Sequence, residues 1–267
     1  MSVAICYVTD TMSIIATDTR VTRNTIGKQL SFSDDAIKLT SIPNLGWCSG
    51  VGSEGMINDF KKELLKNRNE SITTRDIRLL YNNILLDYHS KLHDLSLKYD
   101  KKKERLEVAN HKEKVNNTII ILTWIKLINY RLKCCIGLLS KDFTKKFDSF
   151  NEIQSIENNR IYIFYPPLDD QNKNIRNDIE EKYQLNFQST MKYTDLLYEI
   201  FNIFDDIQSK SSSVSNIIDV GIHALRNKRD EIKINIRDDI HVLKTKLREG
   251  NIEDEYNIVE YNPICTR

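Results

Sequence analysis

Glycine and proline are scarce in this chain, at eight and four of 267 residues. Its turns must therefore rest on Asn, Asp and Ser, whose side chains bond the nearby backbone, and no glycine-rich loop of the phosphate-cradling kind occurs. Charge of one sign is also missing: 39 Lys and Arg against 38 Asp and Glu leave a net charge of +1. Such a balance creates no global field toward nucleic acid or an anionic membrane. Cys6, Cys48, Cys134, Cys135 and Cys265 offer neither a disulfide framework nor a CxxC metal spacing. All but Cys265 sit in strand-like apolar runs, as small core residues do, and a reducing, cytoplasmic setting is expected. No apolar run is long enough to span a bilayer; the nearest, 118–128, holds Lys126. No basic segment followed by an apolar stretch precedes the first strand, so no secretory leader is expected. Internal repeats and a domain linker are absent as well.

What is present suffices for a buried core. At 31.3 kDa, with 40% hydrophobic and 29% charged residues, the chain is expected to form one large soluble domain or two small ones. Residues 1–22 organise the rest. Residues 3–8 and 12–17 are rich in small and β-branched side chains, flank the turn Thr9-Asp10-Thr11 and lead to Asp18 and Arg20. Such runs bounded by turn residues are strand signals. Removal of Met1, which a small second residue generally permits, leaves Ser2 with a hydroxyl and a free α-amine on one residue. A free α-amine titrates near ~7.7 to 8, so at neutral pH part of the population can accept the hydroxyl proton as acyl transfer begins.

The order of Ser2, strand, turn, strand and Ala16-Thr17-Asp18-Thr19-Arg20 resembles the start of a mature proteasome β-subunit and of its bacterial relatives in the N-terminal-nucleophile hydrolase superfamily. The spacing from Ser2 to Asp18 fits the family's without a gap. Ala36-Ile37-Lys38-Leu39 is similar to the family's lysine-bearing third strand. Residues 46–53 are similar to its small-residue turn, ahead of a helix at 56–67. The loop before Lys38 is longer than in the family and the turn after it shorter. Beyond these segments the resemblance is architectural.

The resemblance implies roles. Ser2 attacks a carbonyl and forms an acyl-enzyme, while its amine shuttles the proton, directly or through a water. Lys38 lowers the amine's pKa as a nearby cation, and Asp18 is the counter-charge that a partly closed ammonium needs. Gly50 offers its backbone N–H to the oxyanion. Counting back from the strand at 217–222, Ser213 falls on a family serine close to the site. Lys210 falls on the family's aspartate, however, and two glycines are missing; Asp206 replaces that aspartate only if the loop shifts. The family's Gly-Ser-Gly is absent, with Ser155 the one stand-in in Gln154-Ser155-Ile156-Glu157. No cofactor or metal is implied.

Taken singly, each residue also has a plainer role. Ser2 could be a processed terminus, Asp18 and Arg20 a surface ion pair, Lys38 an edge-strand lysine, Gly50 a turn glycine, and Ser213 part of a serine-rich loop over 209–215.

The remaining chain reads as support. Residues 22–33 form a loop or loose hairpin. Met56, Ile57, Phe60, Leu64 and Leu65 have helical spacing, and a second helix starts after Thr73-Thr74 and runs past Tyr99 into Lys101-Lys102-Lys103-Glu104-Arg105. That run reads as a solvated helical extension near 99–112 or as a protrusion toward a partner. His89 and His93 share a face but lack a HExxH pattern and a third zinc ligand. Strands follow at 117–126, 127–137 and 160–165, the last stopped by Pro166-Pro167, with 143–150 pairing beside them. These resemble the family's second sheet. Helices at 179–185 and 193–207 precede the strand at 217–222, with His223 at its end, and 231–242 closes as an edge strand.

The expected fold is α+β, a four-layer α-β-β-α sandwich. Residues 1–243 make up the hydrolase-like domain and 244–267 a polar C-terminal segment. The expected function is cleavage of amide, chiefly peptide, bonds by Ser2. Homo-oligomeric or ring assembly is implied by the family, with no membrane partner. A catalytically inactive proteasome-like scaffold or assembly subunit is the alternative. Nucleic-acid binding through residues 101–105 is disfavoured, because no aromatic residues interleave with the basic run.

Overall fold

The computed structural model describes residues 3–23, 31–34, 36–66, 72–99, 102–141, 153–164, 178–179, 181–183, 191–211, 214–226 and 230–263. The leading hairpin joins β1 (Ala4–Val8) to β2 (Met12–Asp18). Its turn is closed by Thr9, whose N–H donates to the Met12 carbonyl at 2.7 Å and whose Oγ1 accepts the Met12 N–H at 3.1 Å. Both strands are buried on both faces, which explains continuous apolar runs instead of alternation.

A short hairpin of β3 (Val21–Arg23) and β4 (Ser31–Ser33) follows. The next strands, β5 (Thr40–Ile42), β6 (Gly46–Val51), β7 (Ile119–Ile128), β8 (Arg131–Leu139) and β9 (Gln154–Ser155), pair in that order as a second sheet. Then β10 (Ile161–Phe164), β11 (Ile217–Arg226), β12 (Asp230–Asp239) and β13 (Asn257–Pro263) return to the first, whose order is β10-β1-β2-β11-β12-β13. Neighbouring strands in both sheets are antiparallel.

Helices among the described residues include α1 (Glu54–Lys66), α2 (Thr74–Lys98), α3 (Lys102–Asn116), α4 (Tyr193–Lys210) and α5 (Ile240–Glu249). Thr73 and Asp76 start α2 with reciprocal side-chain-to-backbone bonds of 3.2 and 3.0 Å, a capping box worth about 1 kcal/mol. Three apolar clusters hold the layers. One joins α4 and α5 to the first sheet through residues such as Ile5, Ile14, Val220, Phe201 and Phe204; burying each such phenylalanine is worth about 1.5–3 kcal/mol. Another joins α1, α2 and α3 to the second sheet around Phe60, Tyr81, Ile120 and Leu122. The third lies between the sheets, with Ala4, Cys6 and Ile15 against Trp47, Ile121 and Ile136. Gly221 permits that approach: a Cβ there would come within 2.5 Å of Leu39 Cδ2 and 2.8 Å of the Trp47 ring.

The α+β class is thus observed, with several differences of detail. The second helix does not run through 99–112: Tyr99 is extended, with φ −102° and ψ 120°, and the charged run opens a separate helix. The strand at 160–165 joins β1 in the first sheet and not the second. Lys38 lies outside any strand, since β5 begins at Thr40. The segment at 231–242 is not the edge; residues 244–263 complete α5 and supply β13, which covers β12. Residues 143–150 lie outside the described residues. No helix among the described residues is long and apolar enough to cross a membrane.

Candidate active site

The end of β2 presents Asp18, fully buried. Its Oδ1 accepts the Val3 N–H at 2.8 Å and the Lys38 ammonium at 3.0 Å, and its Oδ2 accepts the Arg20 N–H at 3.1 Å. Burial pushes the Asp18 carboxyl up, while Lys38 and the Val3 N–H pull it down. Burial likewise draws the Lys38 ammonium below its ordinary value, opposed by Asp18, Glu54 and Asp34. With its oxygens so engaged, Asp18 is an anchor: it joins the start of β1, the turn into β3 and the lysine.

Lys38 comes from residues 36–39, which have no ladder to hold them, so side chains do that work. The Lys38 carbonyl accepts the Ser49 hydroxyl at 3.0 Å and the Lys61 ammonium at 2.5 Å, and the Leu39 N–H donates to Asp219. Lys61 and Asp219 are themselves buried. Burial lowers the Lys61 ammonium, countered by the Asp219 charge. Burial raises the Asp219 carboxyl, countered by Asn235 at 2.6 Å and by the Arg237 and Lys61 charges.

Neither residue was singled out from the sequence, yet both left a signal. Lys61 falls on the apolar stripe of α1 between Ile57 and Leu64, four residues after one and three before the other. Asp219 alternates with Gly221 and His223 on one face of an otherwise apolar strand.

A third group borders the pair. Thr19 Oγ1 lies 3.0 Å from Ser215 Oγ and 2.6 Å from the Asp34 carbonyl. Arg20 grips the Asp34 carboxylate with both prongs, Nε at 2.6 Å and an η-nitrogen at 2.7 Å, and its hydrogen bond holds the Asp34 carboxyl below the usual range. The Arg20 guanidinium thus pairs with Asp34 at the end of the β3–β4 excursion, while the Arg20 N–H donates to Asp18.

Of the residues proposed from sequence, Asp18 and Lys38 are in direct contact. Gly50 is buried in β6 opposite Ile120, and a Cβ there would meet the Ile119 carbonyl at 2.7 Å and Ile57 at 3.0 Å. Ser2 and Ser213 lie outside the described residues; Ser215, two positions later in the sequence, reaches Thr19. Ser155 is exposed on β9, the far edge of the second sheet from β5 and β6. Asp206 is taken up by Lys182 and Tyr183, at 2.6 and 2.9 Å. His223 lies within β11 and is buried, not at a strand end. No group of three or more His, Cys, Asp or Glu among the described residues could hold a metal ion.

No family model and no curated protein matches the sequence. Solved structures similar in fold include the Gly-1 mutant of Anbu from Hyphomicrobium sp. strain MC1, at 10% identity and a TM-score of 0.51, covering 100% of this chain and 89% of that one. A second structure of Anbu from the same strain is also similar, at 10% identity and a TM-score of 0.50, covering 99% and 88%. At such identity the likeness is one of fold.

Proposed function

We propose that the chain is an N-terminal-nucleophile hydrolase of amide, chiefly peptide, bonds, with Ser2 as nucleophile once Met1 is removed. The observation that carries this reading is the buried Asp18–Lys38 pair, whose aspartate also holds the Val3 N–H. Val3 is the residue that follows Ser2. The likeness of fold to Anbu supports the proteasome-like part of the reading. The finer architecture in this proposal is the four-layer α-β-β-α sandwich, in which the three apolar clusters stack helices, sheet, sheet and helices. Its hydrolase domain, expected over residues 1–243, is completed in this proposal by the rest of α5 and by β13.

In the proposed reaction the Ser2 hydroxyl oxygen bonds to the substrate carbonyl carbon, and its proton passes to the Ser2 α-amine. The oxyanion takes the Gly50 N–H. Collapse breaks the C–N bond, the leaving amine takes the proton from the α-amine, and water then hydrolyses the ester by the same relay. Lys38, kept charged by Asp18, disfavours a second cation at the α-amine and so enlarges the free-base fraction. Ser213 supports the amine in this reading. Assembly into homo-oligomers or rings, a property of the family resembled, belongs to the same proposal.

The second reading, an inactive scaffold, is favoured by Ser155: the one stand-in for the family's Gly-Ser-Gly serine is on the outer strand of the other sheet. Intact mass before and after an acylating β-lactone separates the two. Loss of Met1 with one adduct on Ser2, abolished by Ser2→Ala without a change in thermal midpoint, is the expected result. Retained Met1, or a free Ser2 that never reacts, overturns the hydrolase reading.

A further inference from the structure

We infer that Lys61 and Asp219 are positioning residues for Lys38, gripping the two ends of the Lys38–Leu39 peptide group and setting the charge around the Lys38 ammonium. The peptide is planar, so fixing its C=O and its N–H fixes the plane from which the Lys38 side chain leaves. Lys61 holds the oxygen at 2.5 Å and Asp219 the N–H. No strand ladder competes for either group, because β5 starts at Thr40.

Geometry alone does not require an ammonium there. Ser49 already donates to the same carbonyl at 3.0 Å, and a buried charge is costly where a neutral donor would serve. Lys61 is only 5% exposed and Asp219 2%. What the pair adds is charge, one cation and one anion at the two ends of the Lys38–Leu39 peptide group. The charged and titratable groups around them are Asp18 on β2, Asp34, Lys38, Cys48 on β6, Glu54 on α1 and Arg237 on β12, the last 3.9 Å from Asp219. Lys61 repels the Lys38 charge and Asp219 favours it, so their removal acts on Lys38 with opposite signs.

The consequence for catalysis rests on the Ser2 reading, but the ionisation of Lys38 tests the inference without it. The full chain is labelled with ε-13C lysine, the Lys38 signal is assigned by its loss in Lys38→Arg, and its titration is followed by NMR. In Lys61→Met the midpoint rises, since a cation is lost and Asp219 is left to favour Lys38. In Asp219→Asn it falls, and in Lys61→Arg it stays near that of the unaltered chain. A movement of one pH unit is about a tenfold change in proton affinity. Mere loosening would admit water and move both variants upward, toward an ordinary lysine. Unmoved midpoints, or both moving the same way, overturn the inference; should Lys61→Met fail to fold, the near-isosteric Asp219→Asn decides it by its sign. The pH–rate profile of Ser2 acylation is expected to shift in Lys61→Met and to return in Lys61→Arg. If the unaltered chain never acylates, the Ser2 reading fails while the NMR titration still decides the roles of Lys61 and Asp219.

Discussion

His223 Nε2 lies 2.7 Å from Glu231 Oε1 across the β11–β12 hairpin, and its Nδ1 lies 3.0 Å from Thr123 Oγ1 on the opposing sheet. Thr123 Oγ1 also accepts the Trp47 N–H at 2.7 Å. A buried imidazole thus ties the two sheets together, at the end of β2 away from Asp18: His223 is opposite Ser13, while Ile218 is opposite Asp18. Leaving such a buried polar group without a partner costs about 1–3 kcal/mol, so the tie is expected to be felt in stability.

Its pH dependence has a definite sign. Burial raises the Glu231 carboxyl, but the His223 hydrogen bond and the His223 and Lys233 charges together hold it below the usual range. A carboxyl depressed in the folded state adds stability above its unfolded pKa, near ~4.3, and loses it as pH falls through the folded value. Glu231→Gln is expected to cost about 1–3 kcal/mol in urea unfolding at pH 7 and distinctly less under acid conditions below pH ~4. A cost independent of pH would mean that the carboxylate charge contributes nothing.

The two members of the Asp18–Lys38 pair are not equivalent. Asp18→Asn leaves a buried ammonium unpaired and turns an amide donor toward groups that themselves donate, the Val3 and Arg20 N–H and Lys38 Nζ. Breaking a buried pair from one side costs about 3–5 kcal/mol. Lys38→Met leaves Asp18 with its two backbone donors and is expected to cost less. In Asp18→Asn/Lys38→Met the costs should fall short of their sum by about 0.5–3 kcal/mol, measured by urea unfolding of all four proteins. Additive costs would mean that the contact is not energetically coupled.

Local chemistry explains what could be read ahead of the structure. The hairpin at 3–17 was legible because turn residues separate two β-branched runs, and α1 because Met56, Ile57, Phe60 and Leu64 repeat at helical spacing. Asp18 and Lys38 were legible as an ordered pair. Residues 36–39 misled because they resemble the lysine-bearing strand of the family; the Lys38–Leu39 peptide group instead bonds to Ser49, Lys61 and Asp219, and Ile37 is 71% exposed. The break after Tyr99 has no glycine or proline to mark it. Lys61 and Ser215 act across long sequence separations, which periodicity does not register.

Gly50 joins packing to the proposed chemistry in a way that can be taken apart. A Cβ at this position would meet the Ile119 carbonyl at 2.7 Å and Ile57 Cγ1 and Cδ1 at 3.0 and 3.2 Å, so the space it leaves is filled from α1 and from the neighbouring strand β7. Gly50→Ala is expected to destabilise by about 1–3 kcal/mol through this overpacking. The side chain of Ile57 can give way more readily than the Ile119 backbone, so Gly50→Ala/Ile57→Val should recover part of that loss and not all of it. Alanine keeps its backbone N–H. If Gly50 serves the oxyanion through that N–H, the double variant should retain Ser2 acylation close to that of Ile57→Val alone. If acylation is lost while thermal stability recovers, open space at Gly50 is itself required, and the substrate passes against the main chain there.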